Sequence, residues 1–476
     1  MNLNIENIDY IVILSYLVGI FFLAFKSSRQ IKAKNLLEEQ YLAGKSLTVT
    51  ESLCSIIATE VSALTFLGIP AFAYGADFSF IQIYLGALFG RIIIAKIMLP
   101  RIYDRGITIY SVMGHDGSKE GQRSIAILYS LNKFLAVGVR LFSGSILVAQ
   151  FFNTNIYLAV ALICFLTFFY TLVGGLKAVV RTDMVQMLLF ITGGITANYI
   201  IPQVSELSWT DLIMLANNQG KLNFFDFSNP YPFIIGVMGG ILFDMATHGV
   251  DQDFVQRLTA NKSLKGAQFA IMASSFLSIF VGVLFLSIGA LLWSHYQIHT
   301  APSISNDQLF AHFITQYFPI GIKGLMVAGV LAATMSTLDS TINALSSCLY
   351  NDIFHHRETS AKKIKLFYFR DTLAITLILM SIAFWASTSD GLLIFGLKIT
   401  SWTAGSLLAL FFGVSVFKLT KLTTFNVIGV YIVGVLGVSI NTYLLQWNWN
   451  LNIYFGFSLG LLFLYTKTKI YQRAFP

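Results

Sequence analysis

From residue 9 to residue 468 the chain is a succession of apolar runs, each close to 20 residues long, separated by short polar gaps. About 20 apolar residues cross the hydrocarbon core of a bilayer as a helix. By that measure about thirteen runs qualify, near 9–25, 48–75, 79–100, 124–152, 155–175, 178–201, 232–250, 266–295, 323–349, 371–388, 391–416, 425–446 and 452–468. Only 11% of the residues are charged, against about a quarter in a soluble domain. So few charges cannot cover a water-facing surface, and the chain reads as an all-α polytopic membrane protein.

The gaps carry the orientation. Basic residues gather in alternate gaps: Lys26, Arg29, Lys32, Lys34 and Lys45; Arg101, Arg105, Lys119 and Arg123; Arg257, Lys262 and Lys265; Arg357, Lys362, Lys363 and Lys365; Lys418 and Lys421; and the tail residues Lys467, Lys469 and Arg473. Lys221 is the sole Lys or Arg in 202–231, and 296–322 has none. Positive gaps stay on the cytoplasmic side, so the pattern predicts an outside N-terminus, an odd number of crossings and a cytoplasmic C-terminus in a cell membrane. The formal charge of +8 is thereby a topology signal. It is no nucleic-acid footprint, because the basic residues do not cluster within polar sequence. The start MNLNIENIDY is acidic and polar, so no cleavable leader is expected. Residues 206–230 and 303–318 read as loops with short helices. Cys54, Cys164 and Cys348 sit singly in apolar runs, without metal spacing.

Two runs are too polar for plain spans. Residues 329–354, GVLAATMSTLDSTINALSSCLYNDIF, hold seven Ser/Thr hydroxyls and the carboxylates Asp339 and Asp352. Ala333, Ser336, Thr337 and Ser340 fall at i, i+3, i+4 and i+7, one helical face. A lone membrane hydroxyl bonds its own i−4 carbonyl and signifies nothing. A stripe beside a carboxylate is different, since an ionisable group at depth needs a partner or a wet cavity. Hard cations such as sodium take hydroxyl and carbonyl oxygens. Carbonyls become available where a helix breaks at the midplane. The candidate partner is 52–75, with Thr59, Glu60, Ser62 and Thr65 in mid-run and the breakers Gly68 and Pro70 after them.

Other buried ionisable residues invite roles. Asp183 reads either as a surface anion near Arg181 or as an inner ion relay. Arg140 either pairs with Glu60 or Asp339 or receives an anionic solute. Asp244, His248 and Asp251 lie together, but no second His or Cys stands at ligand spacing. Lys398 is given no role. Walker, HExxH, GxSxG and Rossmann motifs are absent, so the chain is not expected to be an enzyme, and transport work would draw on a gradient.

Four stretches, in order along the chain, carry a resemblance: YLAGKSL at 41–47, YTLVGGLKAVVRTDMVQ at 170–186, THGVDQDFVQR at 247–257 and LAATMSTLDSTINALSSCLYNDIF at 331–354. They resemble the sodium/solute symporter family, relatives of sodium–proline, sodium–sugar and sodium–sialic acid symporters. The resemblance implies a leucine-transporter-like fold with a 5+5 inverted-repeat core. It divides the chain into 1–47 (leading helix and loop), 48–201 (first repeat), 202–231 (extracellular loop), 232–416 (second repeat) and 417–476 (two final helices and a tail). It implies a sodium site from Ala58 and Val61 carbonyls with Ala333, Ser336 and Thr337. It matches Asp183, with Asp339 and Ser340, to a second sodium site or relay, although the eighth core helix departs from the two-sodium pattern there. It matches Glu60, Ser62, Thr65, Gln82, Arg140 and Phe243 to solute-binding positions, Phe243 as an aromatic inner gate.

The expectation is therefore a sodium-coupled symporter of a small polar organic solute (sugar, polyol, carboxylate or amino acid), seated in membrane lipid, with no nucleic acid and no obligate protein partner. A proton-coupled carrier on the same fold is the alternative, with Glu60, Asp183 and Asp339 as titrating groups. A sodium-gated sensor ranks lower, because no signalling domain follows the last run.

Overall fold

Sequences this apolar satisfy their backbone polar groups internally, and in lipid that means helices. The computed structural model describes residues 6–28, 36–115, 118–226, 231–356, 360–386, 392–419 and 421–474. Arg29, Lys32, Lys34 and Arg357, used above, lie outside them. Among the described residues there are helices and one isolated bridge, Leu47 to Asn261. The principal helices are α1 (Asn7–Ser28), α2 (Val49–Glu60), α3 (Leu64–Gly75), α4 (Ile81–Ile102), α5 (Lys119–Phe151), α6 (Ile156–Leu172), α7 (Gly174–Ser205), α8 (Tyr231–Gly249), α9 (Gln252–Thr259), α10 (Leu264–Ile298), α11 (Asn306–Tyr317), α12 (Ile322–Cys348), α13 (Ala361–Ala386), α14 (Leu392–Phe411), α15 (Thr424–Leu445) and α16 (Asn452–Ala474).

Among the described residues ten helices are long and apolar enough to cross a membrane, and the broken pair α2–α3 makes eleven. The expected thirteen is not reached by this measure. The predicted fifth run is a helix of 17 residues, Ile156–Leu172, and the last, α16, is helical over 23 residues but does not meet the apolar test. The predicted break between the fifth and sixth runs is a kink at Gly175, whose φ of +58° suits glycine. A side chain there would also strike the Gln40 carbonyl, 2.9 Å from the Cβ position. Both loop helices are present, at Trp209–Asn218 and Asn306–Tyr317.

The polar run is the hub. From Lys323 to Cys348 all but Leu325 are buried in α12, whereas α1, α7, α10 and α15 present Phe22, Leu188, Phe276 and Leu436 to the outside. The N-terminus of α12 lacks a cap of its own. Asp9 of α1 supplies it: its Oδ1 accepts from the amides of Gly321, at 2.7 Å, and Gly324, at 2.8 Å. A carboxylate at that end is stabilised by the helix dipole, which accounts for an acid in an otherwise apolar leading helix.

The α2 helix begins with a capping box between Thr48 and Glu51 and ends at Val61, whose ψ of 94° is extended. The chain resumes as α3 after a bend of 59°. Phe66 anchors the second half, packing against Phe190, Phe285 and Phe310 with centroids 5.3–5.5 Å apart.

Close helix approach elsewhere depends on small residues. A Cβ on Gly86 of α4 would lie 2.2 Å from the Val237 carbonyl of α8, and one on Gly240 would lie 2.4 Å from the Ile83 carbonyl. Gly86→Ala is therefore expected to destabilise the protein by about 1–3 kcal/mol, the usual cost of overpacking. A lowered melting temperature in detergent checks it.

Candidate functional site

At the break, two amides leave their helical partners. The Ser62 amide, which would donate to the Ala58 carbonyl in a continuous helix, donates to Thr65 Oγ1 at 3.3 Å. The Thr65 amide, which would donate to Val61, donates to the Ser62 carbonyl at 2.9 Å. The carbonyls of Ala58 and Val61 are thus released from the ladder, and Ala58 and Val61 are both buried.

Facing this segment is α12. Thr59 Oγ1 lies 3.3 Å from Ser340 Oγ, joining the end of α2 to the hydroxyl stripe. Thr337 Oγ1 lies 3.0 Å from the Ala333 carbonyl, so two of the expected oxygens already sit side by side. Ser336 donates to Asp183 at 2.5 Å.

Asp183 is fully buried and no surface anion. Besides Ser336 it accepts from Ser55, and Arg257 of α9 lies 3.5 Å away. Arg257 also donates to Ser55 at 2.7 Å, to Ser340, and to Asp253 at 2.7 Å. Asp339 accepts from Tyr170 and from Ser340. The structure therefore brings Asp183, Asp339 and Ser340 together, as expected, but around a guanidinium. Lys133 continues the network, 3.0 Å from Asp253 and 2.8 Å from Asp251.

A cavity of about 100 Å³ lies beside the break. Glu60, Ser62, Thr65, Arg140 and Phe243 line it, together with Tyr84, Asp244, Thr247 and His248. Gln82 is a correction: it does not line the cavity, and its amide donates to the Phe224 carbonyl at 2.8 Å, tying α4 to a loop. Glu60 does not pair with Arg140. Arg91 of α4 takes it at 2.7 Å and also reaches Asp244 at 3.2 Å, Ser274 at 2.7 Å and Ser278 at 3.0 Å. Arg91 further donates to His248 Nε2 at 3.3 Å. Because a guanidinium only donates, Nε2 accepts, and Nδ1 is left to donate to Asp244 at 3.0 Å. His248 thus bridges Arg91 and Asp244. Among the described residues no group of three or more His, Cys, Asp or Glu side chains is placed to hold a metal. Arg140 is half-buried and makes no hydrogen bond or ion pair with any described residue. Phe243 packs edge-on against Trp449 with centroids 5.9 Å apart.

Arg91, Asp253 and Arg257 were missed as site residues. A signal existed for each. Arg91 is a charge in mid-run, and Asp253 and Arg257 are an i, i+4 opposite pair in DQDFVQR.

The sequence model of the sodium:solute symporter family matches residues 40–425. The chain belongs to that family. Among curated relatives, the sodium-coupled monocarboxylate transporter 2 of Mus musculus is 28% identical over 73% of this chain and 58% of its own length. This chain therefore spans under three fifths of the first of these relatives. The monocarboxylate transporter 1 of Mus musculus is 30% identical over 85% of this chain and 68% of its own. The sodium/glucose cotransporter of Vibrio parahaemolyticus is 27% identical over 74% and 70%. A solved Na⁺-coupled sialic acid symporter superposes with a TM-score of 0.86 at 20% identity, covering 98% of each chain. Mhp1, a nucleobase-cation-symport-1 family transporter, gives 0.61 at 15% identity over 92% of this chain and 95% of its own. The fold is thus leucine-transporter-like, and the family is one of multi-pass membrane transporters, not enzymes.

Removing Arg91 would strand Glu60 and Asp244. Arg91→Met is expected to cost about 3–5 kcal/mol, the penalty for uncompensated buried charge. Arg91→Met with Glu60→Gln and Asp244→Asn should recover much of it, as read by thermal unfolding in detergent.

Proposed function

We propose that this symporter-family chain couples inward sodium flow to uptake of a small organic anion, a short carboxylate, by alternating access. The observation that carries the proposal is the pair of carbonyls released at Ala58 and Val61, on a segment that Thr59 joins to the α12 hydroxyl stripe at Ser340. Five oxygens of this kind replace the hydration shell of a hard monovalent cation. Sodium bound there draws α2 to α12 and completes the cavity wall formed by Glu60, Ser62 and Thr65. Coupling follows if sodium binds the outward- and inward-facing states with different free energy. Membrane potential supplies about 2.3 kcal/mol per charge per 100 mV, provided the N-terminus lies outside and the C-terminus in the cytoplasm. The inverted-repeat halves 48–201 and 232–416 are the bodies that would rock.

Two features favour a small carboxylate over the larger solutes of the relatives. Arg140 lines the cavity and forms no ion pair with a described residue, and guanidinium matches carboxylate in a two-bonded fork. A cavity of about 100 Å³ has room for a few waters' worth of solute. Phe243 lines it and packs on Trp449. Asp183, with Asp339 and Ser340, is the relay by which sodium leaves. A second reading, proton coupling, rests on the excess of acids over bases in the buried inner network: Asp183, Asp251, Asp253 and Asp339 against Lys133 and Arg257. Uptake in sodium-free buffer across pH separates the two.

Ser336→Ala and Thr337→Ala are each expected to abolish sodium-stimulated uptake into proteoliposomes while the protein still inserts. Normal, sodium-independent uptake in both would refute the sodium site. Arg140→Gln is expected to raise the half-saturating carboxylate concentration about 10- to 100-fold, the worth of one charge-assisted hydrogen bond. It should leave half-saturating sodium little changed.

A further inference from the structure

The hydroxyl stripe of α12 does not stop at the sodium site. Asp339, Asn343 and Ser346 continue it at i, i+4 and i+7, all fully buried. Neither the cavity nor the Ala58–Thr337 oxygens use these lower positions. Around them the structure gathers polar side chains from four other elements. Gln256 of α9 donates to Asn343 Oδ1 at 2.7 Å and to the Tyr41 carbonyl. Tyr41 lies 3.1 Å from Ser346 through its hydroxyl. Tyr368 of α13 donates to the Thr171 carbonyl at 3.3 Å, and its hydroxyl faces Asn343, Gln40 and Thr372.

Six polar atoms here are buried with no partner: Asn343 Nδ2, Gln256 Oε1, Gln40 Nε2, Thr171 Oγ1, Thr372 Oγ1 and Asp371 Oδ2. One orphaned polar atom costs about 1–3 kcal/mol, and native proteins hold only a few. Three of these, on Asn343, Gln40 and Thr372, face the Tyr368 hydroxyl, and the rest, on Gln256, Thr171 and Asp371, are polar atoms that water or an ion would satisfy. The Asp371 Oδ1 atom pairs with Arg370, which is 52% exposed, so the group reaches the surface. That surface lies on the face bearing the basic gaps.

We infer that this column, from Asp339 through Asn343, Gln256 and Tyr368 to Thr372 and Asp371, is a hydrated sodium exit path, separate from the solute cavity. It rests on the sodium site proposed above and adds the route from it. Carboxylates stand at both ends, Asp339 with Asp183 inside and Asp371 at the mouth. Amide and hydroxyl oxygens between them exchange for water ligands stepwise. The acids at the inner end, Asp183 and Asp339, lie around Arg257, and Asp371 at the mouth is paired with Arg370.

The test uses radiosodium on the full chain, with Asn343→Leu and the nearly isosteric Thr372→Val. Equilibrium sodium binding to purified protein is expected within about twofold of wild type, while sodium exchange across proteoliposomes slows at least about tenfold, the effect of some 1.4 kcal/mol on a barrier. Exchange at the wild-type rate in both variants overturns the path. Lost sodium binding in both also overturns it, because the residues would then belong to the binding site. Absence of sodium binding in the wild-type chain would overturn the sodium site itself, a different failure.

Discussion

Everything in this molecule turns on two backbone amides that decline their helical partners. At Ser62 and Thr65 the chain exchanges two i→i−4 bonds for a local side-chain bond and a tighter turn. The cost is small because Thr65 Oγ1 and the Ser62 carbonyl keep both donors satisfied. The gain is two unspent carbonyls in a low-dielectric interior, where an unpaired carbonyl is costly and a cation is correspondingly welcome. The rest of the fold holds that break open. Phe66 fixes one side of it, the Arg91–Glu60 pair fixes the other, and α12 presents oxygens opposite.

The sequence made the broken helix and the central polar helix legible because both violate the rule that spans are apolar. Seven hydroxyls on 329–354 cannot face lipid, and α12 is correspondingly the most buried span. Family likeness then sharpened spacing into particular atoms. What escaped reading was pairing. Glu60, Arg91 and Asp244 come from three helices, 31 and 153 residues apart from Arg91, and no local pattern links them. Gln82 misled for a related reason. It stands in the first turn of α4, and its amide turns to the loop at Phe224. The length rule finds eleven of the thirteen expected crossings among the described residues, because a 17-residue helix and a charged final helix sit at its margin.

The buried charges divide into two networks with different work. Around Arg91 one guanidinium holds Glu60, Asp244, Ser274 and Ser278 and ties α2, α4, α8 and α10 into one body. Around Arg257 acids outnumber bases, and hydroxyls of α2 and α12 are drawn in. The placement of the two networks on opposite sides of the break fits a machine in which solute and ion meet at one point and part afterwards.

The most direct test of the central claim is thermal melting of the purified chain in sodium or potassium salt at matched ionic strength. If sodium occupies oxygens present only in the folded state, the melting temperature rises with sodium as mass action requires and stays flat with potassium. Indistinguishable melting curves in the two salts would contradict the account.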